Sequence, residues 1–177
     1  MAERAVLSVP TRALVVVHLV DVAIELPSQY PTMTLREELL DEVAVGGGTG
    51  IARRGAPGEP GRPARELVIP IGFSEGVALA HAWRRIPTPR PLTHELFAAV
   101  LGRLGAGVAA VRVIGRRAGT YLGELDVSTP RGTEVVACRP SDGITLALRQ
   151  GVPAPIMVDT RLFDDGDVEP ASPPRAS

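Results

Sequence analysis

The chain has 177 residues, with 20 acidic side chains and 19 arginines, and it contains neither lysine nor asparagine. The lack of lysine excludes Schiff-base chemistry, a Walker A phosphate loop and a lysine general base. The formal net charge of −1 excludes a surface that is basic overall and binds nucleic acid through bulk charge.

The predicted elements follow from apolar periodicity and from glycine and proline positions. In chain order they are strands Arg12–Val20, Thr32–Arg36 and Glu66–Ile71, helices Ser74–Arg85 and Thr93–Leu104, strands Val108–Ile114, Thr120–Val127 and Thr133–Cys138, helix Ser141–Arg149 and strand Pro155–Val158. Turns at 116–119 and 129–132 predict that the three strands after the second helix form an antiparallel meander.

The helices should pack through apolar stripes. On the first helix Val77, Ala80 and Trp83 share a side, and on the second an apolar stripe runs from Leu96 to Leu104. Thr93 and Ser141 are the predicted N-caps of the second and third helices. Strands with segregated helices favour a compact α+β single domain, in which three short helices pack on a mixed or antiparallel sheet.

Two segments have the composition of disordered chain. Residues 46–65 are rich in Gly, Pro and Arg and predict a long surface insertion, whereas 164–177 predict an acidic, Pro-rich tail. The domain should therefore span residues 1–163. Apolar residues make up 45% of the chain and aromatic residues only 3%, so the core must be aliphatic. One cysteine, no visible signal peptide and no long apolar run predict a cytoplasmic protein without membrane contact.

Three segments stand out as motifs. They are Ile69-Pro-Ile-Gly-Phe-Ser-Glu-Gly-Val-Ala-Leu-Ala80, Pro89-Arg-Pro-Leu-Thr-His-Glu-Leu-Phe97, and Arg139-Pro-Ser-Asp-Gly-Ile-Thr-Leu-Ala-Leu-Arg149 followed by Pro155-Ile-Met-Val158. Their order and spacing resemble the bifunctional nuclease domain family over roughly residues 12–163. The resemblance implies a compact α+β domain and, from plant members of the family, cleavage of RNA and DNA.

The chain departs from the family pattern at four places. Glu95 stands where the family usually has Asp, Gly143 where it usually has Ala, and Ala137 where an acidic residue is usual. The long Gly/Pro insertion is the fourth departure. The change at Ala137 removes a carboxylate that a metal-dependent site could use.

The carboxylates that match the motifs are Glu75, Glu95 and Asp142. Clustered carboxylates hold divalent ions in metal-dependent nucleases, so Mg²⁺ or Mn²⁺ is a candidate cofactor, although the resemblance does not identify the metal. Each of the three acids also lies in the first turn of a predicted helix, where it would complement the helix dipole without any catalytic role.

His94 is the fourth catalytic candidate. It follows the predicted cap Thr93, and a neutral imidazole there could accept a proton from water or bind a metal. The alternative is a histidine whose hydrogen bonds are satisfied locally by the Pro-rich connector.

Arg90 and Arg139 each precede a predicted helix start. Free N–H groups at helix starts together with arginine bind anions, so Arg90, Thr93, Arg139 and Ser141 are the candidate phosphate-binding residues. The alternative is that each arginine pairs with a neighbouring acid, for example Arg139 with Asp142, and fixes a turn.

The sequence thus predicts a nuclease that hydrolyses phosphodiester bonds in RNA, DNA or both. The alternative is a non-catalytic binding or regulatory module, a homo-oligomer with an anion site.

Overall fold

The computed structural model describes residues 13–24, 30–39, 62–164 and 166–170. Its elements in chain order are β1 (Leu14–Ile24), β2 (Pro31–Glu37), β3 (Glu66–Pro70), α1 (Phe73–Trp83), α2 (Thr93–Arg103), β4 (Gly107–Arg117), β5 (Thr120–Thr129), β6 (Gly132–Cys138), α3 (Pro140–Leu148), β7 (Ile156–Asp159) and a 3₁₀ helix (Thr160–Phe163). Each strand and α-helix predicted from the sequence is present, with bounds shifted by a few residues. The 3₁₀ helix was not predicted.

The seven strands within the described residues form one mixed sheet in the order β3-β2-β1-β7-β4-β5-β6. The pair β4 and β7 is parallel, and β4, β5 and β6 form the predicted antiparallel meander. Helices α1 and α3 contact each other, and α3 packs on β4 and β5. The predicted α+β fold is confirmed, and the sheet order brings the motif-bearing helices α1 and α3 together.

The core is aliphatic, as the composition predicts. The largest fully buried apolar side chains come from both halves of the sheet and from α1 and α3: Val17, Met33, Leu35, Leu79, Val111, Val113, Ile144 and Val158. Burial of Ile144 on α3 fixes the helix whose first turn carries Asp142.

The buried face of α1 differs from the predicted one. Gly76, Leu79 and Ala82 are buried, whereas Val77 is 44% exposed. Gly76 allows the close contact with β2, because a Cβ there would lie 3.0 Å from Pro31 Cβ. The helix therefore packs through the side that carries Gly76, which is shifted by one residue from the predicted side that carries Val77.

The apolar stripe of α2 does not enter the core either. None of its residues is buried, and only Ala98 and Leu101 pack partly against the core cluster. Leu96, Phe97 and Val100 remain 42–56% exposed, and Leu104 beyond the end of the helix is 68% exposed. Helix α2 contacts mainly α3, so it lies at the margin of the helical layer and its outer apolar side faces solvent.

Glu37 at the end of β2 anchors the chain that follows the predicted insertion. Most of that insertion, residues 46–61, lies outside the described residues, but Arg62 and Arg65 both donate to the buried Glu37 carboxylate at 2.7–3.0 Å. The guanidinium of Arg65 also lies 4.3 Å from the centroid of the Phe163 ring. Hydrogen bonding by Arg65 is the main reason that the pKa of Glu37 falls to about 2.

The predicted tail is ordered at its beginning. Residues 166–170 pack on β4, where the N–H and C=O of Val168 exchange hydrogen bonds of 2.8 Å with Arg116, and Val168 is buried. The apolar Val168 and its paired backbone explain why this part of an acidic, Pro-rich segment adopts a fixed position. Residues 171–177 lie outside the described part of the chain. None of the helices in the described ranges is long and apolar enough to span a membrane.

Candidate functional site

Glu75 lies in the first turn of α1, directly after the edge strand β3. The extended residue Gly72 precedes the helix, and a Cβ at this position would lie only 2.2 Å from Glu75 Oε2. Glycine at position 72 therefore leaves the space in which the Glu75 carboxylate folds back over the start of α1.

Helix α3 begins one residue before the predicted start. Arg139 is its N-cap and Pro140 its first residue, a position for which proline is well suited because the first helical N–H has no partner within the helix. Ser141 is thus not the cap: it is buried within the first turn, and its carbonyl accepts a 2.7 Å hydrogen bond from Thr145 Oγ1.

Helix α2 is likewise capped differently from the prediction. Leu92 occupies the cap position and Thr93 is the first helical residue. The carboxylate of Glu95 substitutes for a cap side chain, because its Oε2 accepts from the Leu92 N–H at 2.8 Å and from Thr88 Oγ1 at 2.7 Å. Its Oε1 pairs with Arg149 Nη1 at 2.7 Å. The Thr88 hydroxyl is the main reason that the pKa of Glu95 is lowered.

Four motif residues from three helices form a continuous chain of contacts, which we call the Arg139 cluster: Glu75, His94, Arg139 and Asp142. Arg139 Nη1 donates to Glu75 Oε1, and Arg139 Nε donates to Asp142 Oδ2 at 2.8 Å. The other oxygen of Asp142 lies 3.2 Å from His94 Nε2. The starts of α1, α2 and α3 therefore converge, and Glu95, whose contacts lie elsewhere, is not part of the cluster.

Two cavities open on either side of Arg139. One, of about 310 Å³, is lined by Thr93, His94, Phe97, Arg139, Asp142 and Leu146. The other, of about 230 Å³, lies between the C-terminal end of β3 and the β4–β5 turn. Its lining includes Glu75, Tyr121, Arg139 and Ser141. Arg139 is the residue that the two linings share.

The predicted phosphate-binding residues do not all meet. The Arg139 side chain is 67% exposed although two carboxylates hold it, and three of its five N–H donors are not used by those contacts. Thr93 lines the cavity of His94, and Ser141 lines the other. Arg90 is exposed on the connector before α2 and takes no part in the hydrogen bonds that connect the cluster. The ion pair of Arg139 with Asp142, which the sequence left as an alternative, is present.

The arrangement does not fit a divalent cation. Among the described residues, no three His, Cys, Asp or Glu side chains come close enough together to hold a metal ion. The two carboxylates that oxygen-preferring ions such as Mg²⁺ would use, Glu75 and Asp142, are both paired with the guanidinium of Arg139. A shared cation would have to displace that positive charge, so we derive no catalytic step through a metal.

Cys138, beside the cluster, is not an activated thiol. Burial, together with a smaller effect of the Asp142 charge, raises its pKa to about 11. At neutral pH the thiol is therefore protonated and a poor nucleophile.

Comparison with known proteins agrees with this architecture. The family model of the bifunctional nuclease domain matches residues 59–170, which include all four residues of the Arg139 cluster. The chain belongs to the bifunctional nuclease domain family. Two curated relatives, each described as an uncharacterized protein, come from the CDC 1551 and H37Rv strains of Mycobacterium tuberculosis. Each is 34% identical over 137 residues, which cover 77% of this chain and 68% of the relative.

Two residues were not predicted from the sequence, one beside the cluster and one in the lining of a cavity. Arg149 closes the third bifunctional nuclease motif, and its pairing with Glu95 ties α2 to the end of α3. Tyr121 lies in none of the three motifs. Its only signal in the sequence is that an aromatic residue follows the β4–β5 turn in a chain with few aromatic residues. Arg116 holds its ring in place, since Nη1 donates to the Tyr121 hydroxyl at 3.3 Å.

Gly143, where the family usually has alanine, makes a testable packing contact. A Cβ at this position would lie 3.0 Å from Cys138 Sγ and 3.1 Å from Val111 Cγ1, so both neighbours would have to move slightly. Overpacking costs about 1–3 kcal/mol, whereas alanine favours a helix over glycine by about 1 kcal/mol. We expect Gly143→Ala to lower the free energy of unfolding by up to about 2 kcal/mol in urea denaturation.

The same substitution in a Cys138→Ala background is the control. Without Sγ only the 3.1 Å contact with Val111 Cγ1 remains tight, so Gly143→Ala should destabilise less in this background than in the wild-type chain. Equal effects of Gly143→Ala in the two backgrounds would contradict this account of the contact.

Proposed function

We propose that this chain hydrolyses phosphodiester bonds in single-stranded RNA or DNA, and that the Arg139 cluster is its catalytic site. The observation that carries the proposal is the contact between His94 Nε2 and Asp142 Oδ1 beside a solvent-exposed arginine. A carboxylate that orients an imidazole is the arrangement by which proteins hold a histidine as a proton acceptor.

His94 is the general base of the proposed reaction. An ionised carboxylate can only accept, so we assign Nε2–H as the donor to Asp142, which places the lone pair of the neutral ring on Nδ1. Nδ1 takes a proton from a water molecule as the water oxygen bonds to phosphorus. The bond from phosphorus to the leaving ester oxygen breaks, and that oxygen takes a proton from solvent. The Asp142 carboxylate stabilises the imidazolium that forms.

Arg139 binds the phosphate in this proposal. Glu75 and Asp142 hold its guanidinium from two directions and leave three N–H donors for the non-bridging phosphate oxygens. A guanidinium fixed before the substrate arrives stabilises the charge that develops on those oxygens without having to reorganise. Glu75 acts here as a positioning residue.

The test is a cleavage assay with the purified full chain and end-labelled single-stranded RNA and DNA. Separate reactions contain EDTA, Mg²⁺ or Mn²⁺. We expect cleavage in EDTA, because His94, Asp142 and Arg139 supply the proposed steps. Cleavage only with a metal would instead support the Mg²⁺ or Mn²⁺ predicted from the sequence. No cleavage in any reaction would reject the proposal.

A second candidate function, a binding module that assembles with copies of itself, is favoured by α2. Three large apolar side chains of α2, Leu96, Phe97 and Val100, are 42–56% exposed, and Leu104 directly after the helix is 68% exposed. A twofold contact between two such helices would bury the same patch in both copies, as in the commonest homo-oligomers. Light scattering after size-exclusion chromatography tests this candidate function. The wild-type chain should be an oligomer, and the double variant Val100→Ser, Leu104→Ser should be a monomer. A monomeric wild-type chain would reject the candidate.

A further inference from the structure

The cavity of about 230 Å³ beside Arg139 has no role in the proposed hydrolysis. Its lining includes Met33 of β2, Ile69 of β3 and Ile71 directly after β3, which are core residues, together with Thr120 and Tyr121 at the start of β5. It is smaller than the pockets of roughly 300–1,000 Å³ that enclose drug-sized ligands. Its size and mixed lining suit one planar ring system.

We propose that this cavity binds the guanine base next to the scissile phosphate. The inference rests on the proposed function, since the base is placed here by the phosphate that Arg139 holds. Arg139 lines both cavities, so the phosphate on its guanidinium lies between the base on one side and His94 on the other. Unpaired bases in single strands are recognised in this way, by stacking and by hydrogen bonds to their Watson–Crick edge.

Glu75 is the specificity-determining residue of the proposal. Its carboxylate is an acceptor only, and Oε1 keeps a lone pair after it accepts from Arg139. Guanine presents two neighbouring donors, N1–H and N2–H, which match the two oxygens of a carboxylate. Adenine, cytosine and uracil each place an acceptor within this edge, which would face the negative charge. The absence of a Cβ at Gly72 leaves the space that Oε2 occupies.

Tyr121 supplies the aromatic surface. Tyr121 lines the cavity, and Arg116 fixes its ring by a hydrogen bond to the hydroxyl and by a guanidinium 5.7 Å from the ring centroid. A base that stacks on an aromatic side chain gains affinity whatever its identity. Tyr121 should therefore contribute to binding of every base, and Glu75 to the choice among them.

Titration of the four nucleoside 5′-monophosphates by calorimetry tests the inference without any cleavage. The wild-type chain should bind the guanine nucleotide at least about tenfold more tightly than the other three, the discrimination of a good bidentate pair. Glu75→Gln should reverse the order of guanine and adenine, because an amide offers one acceptor and one donor, which match adenine N6–H and N1. Tyr121→Ala should weaken all four by about 5-fold to 100-fold and keep their order.

Glu134→Gln is the matched control, since it makes the same change at an exposed site on the edge strand β6 and should leave all four affinities unchanged. Equal wild-type affinities for the four nucleotides, or an unchanged order in Glu75→Gln, would overturn the inference. Guanine preference in a chain that cleaves nothing would support the base site and reject the proposed hydrolysis. Cleavage by a chain that binds all four nucleotides equally would support the proposed hydrolysis and reject the base site.

Discussion

Replacing His94 with alanine should lower the rate of RNA and DNA cleavage by about 100-fold to 10,000-fold, the range that a positioned general base contributes. The reason is geometric: no other described histidine contacts a carboxylate of the Arg139 cluster, and His94 lines the cavity beside Arg139. The substitution removes the proton acceptor and leaves Arg139 with both of its carboxylate partners. Initial rates with substrate in excess measure the effect, and circular dichroism verifies the fold.

His18→Ala is the control for this prediction. His18 lies on β1, where its 64% exposed side chain contacts Glu38, which is outside the cluster. His18→Ala should cleave at the wild-type rate, which shows that loss of a histidine elsewhere in the chain does not lower activity. A His94→Ala preparation as active as wild type would remove His94 from the mechanism.

Protonation of Glu37 should remove about 3 kcal/mol of folding free energy as the pH falls from about 4.5 to about 2. The pKa of this carboxyl in the folded chain is about 2, below its ordinary value of 4.5, because Arg65 and Arg62 donate to it. The stabilisation is therefore fully present above pH 4.5. It declines at lower pH, since the unfolded chain takes up the proton first. Urea denaturation at several pH values measures it.

Glu37→Gln isolates this contribution. The amide cannot ionise, so the variant should lack this stabilisation at neutral pH. Between pH 4.5 and pH 2 its free energy of unfolding should fall by about 3 kcal/mol less than that of the wild-type chain. Glu38→Gln, at the exposed neighbour, should keep the wild-type slope. An identical pH dependence in Glu37→Gln and wild type would show that the pair with Arg62 and Arg65 does not stabilise the fold.

Local patterns predicted the elements well but not how they pack. Alternation and turn residues determined the β4–β5–β6 meander, because hairpins form between neighbouring segments of the chain. The burial of α1 and α2 depends on distant residues: Gly76 fits against Pro31 from another part of the chain, and α2 lies at the margin of the helical layer. Helix periodicity identifies an apolar side but does not tell whether another element covers it.

The motifs in the sequence pointed to the residues of the candidate site, but not to the contacts between them. Glu75, His94 and Asp142 were found through their motifs, but their meeting at Arg139 follows from the sheet order, which no single motif contains. Glu95 also lies in a motif, but it does not join the cluster. It is adjacent to His94 in sequence, yet successive helical residues point about 100° apart, so its carboxylate contacts Thr88 and Arg149 instead.

The most direct test of the catalytic assignment is a double-mutant cycle for cleavage with His94→Ala, Asp142→Asn and the double variant. If Asp142 acts through the His94 imidazole, the two substitutions are strongly non-additive, and the double variant should cleave about as fast as His94→Ala alone. Rate losses that multiply in the double variant would contradict the account, because the two residues would then act independently.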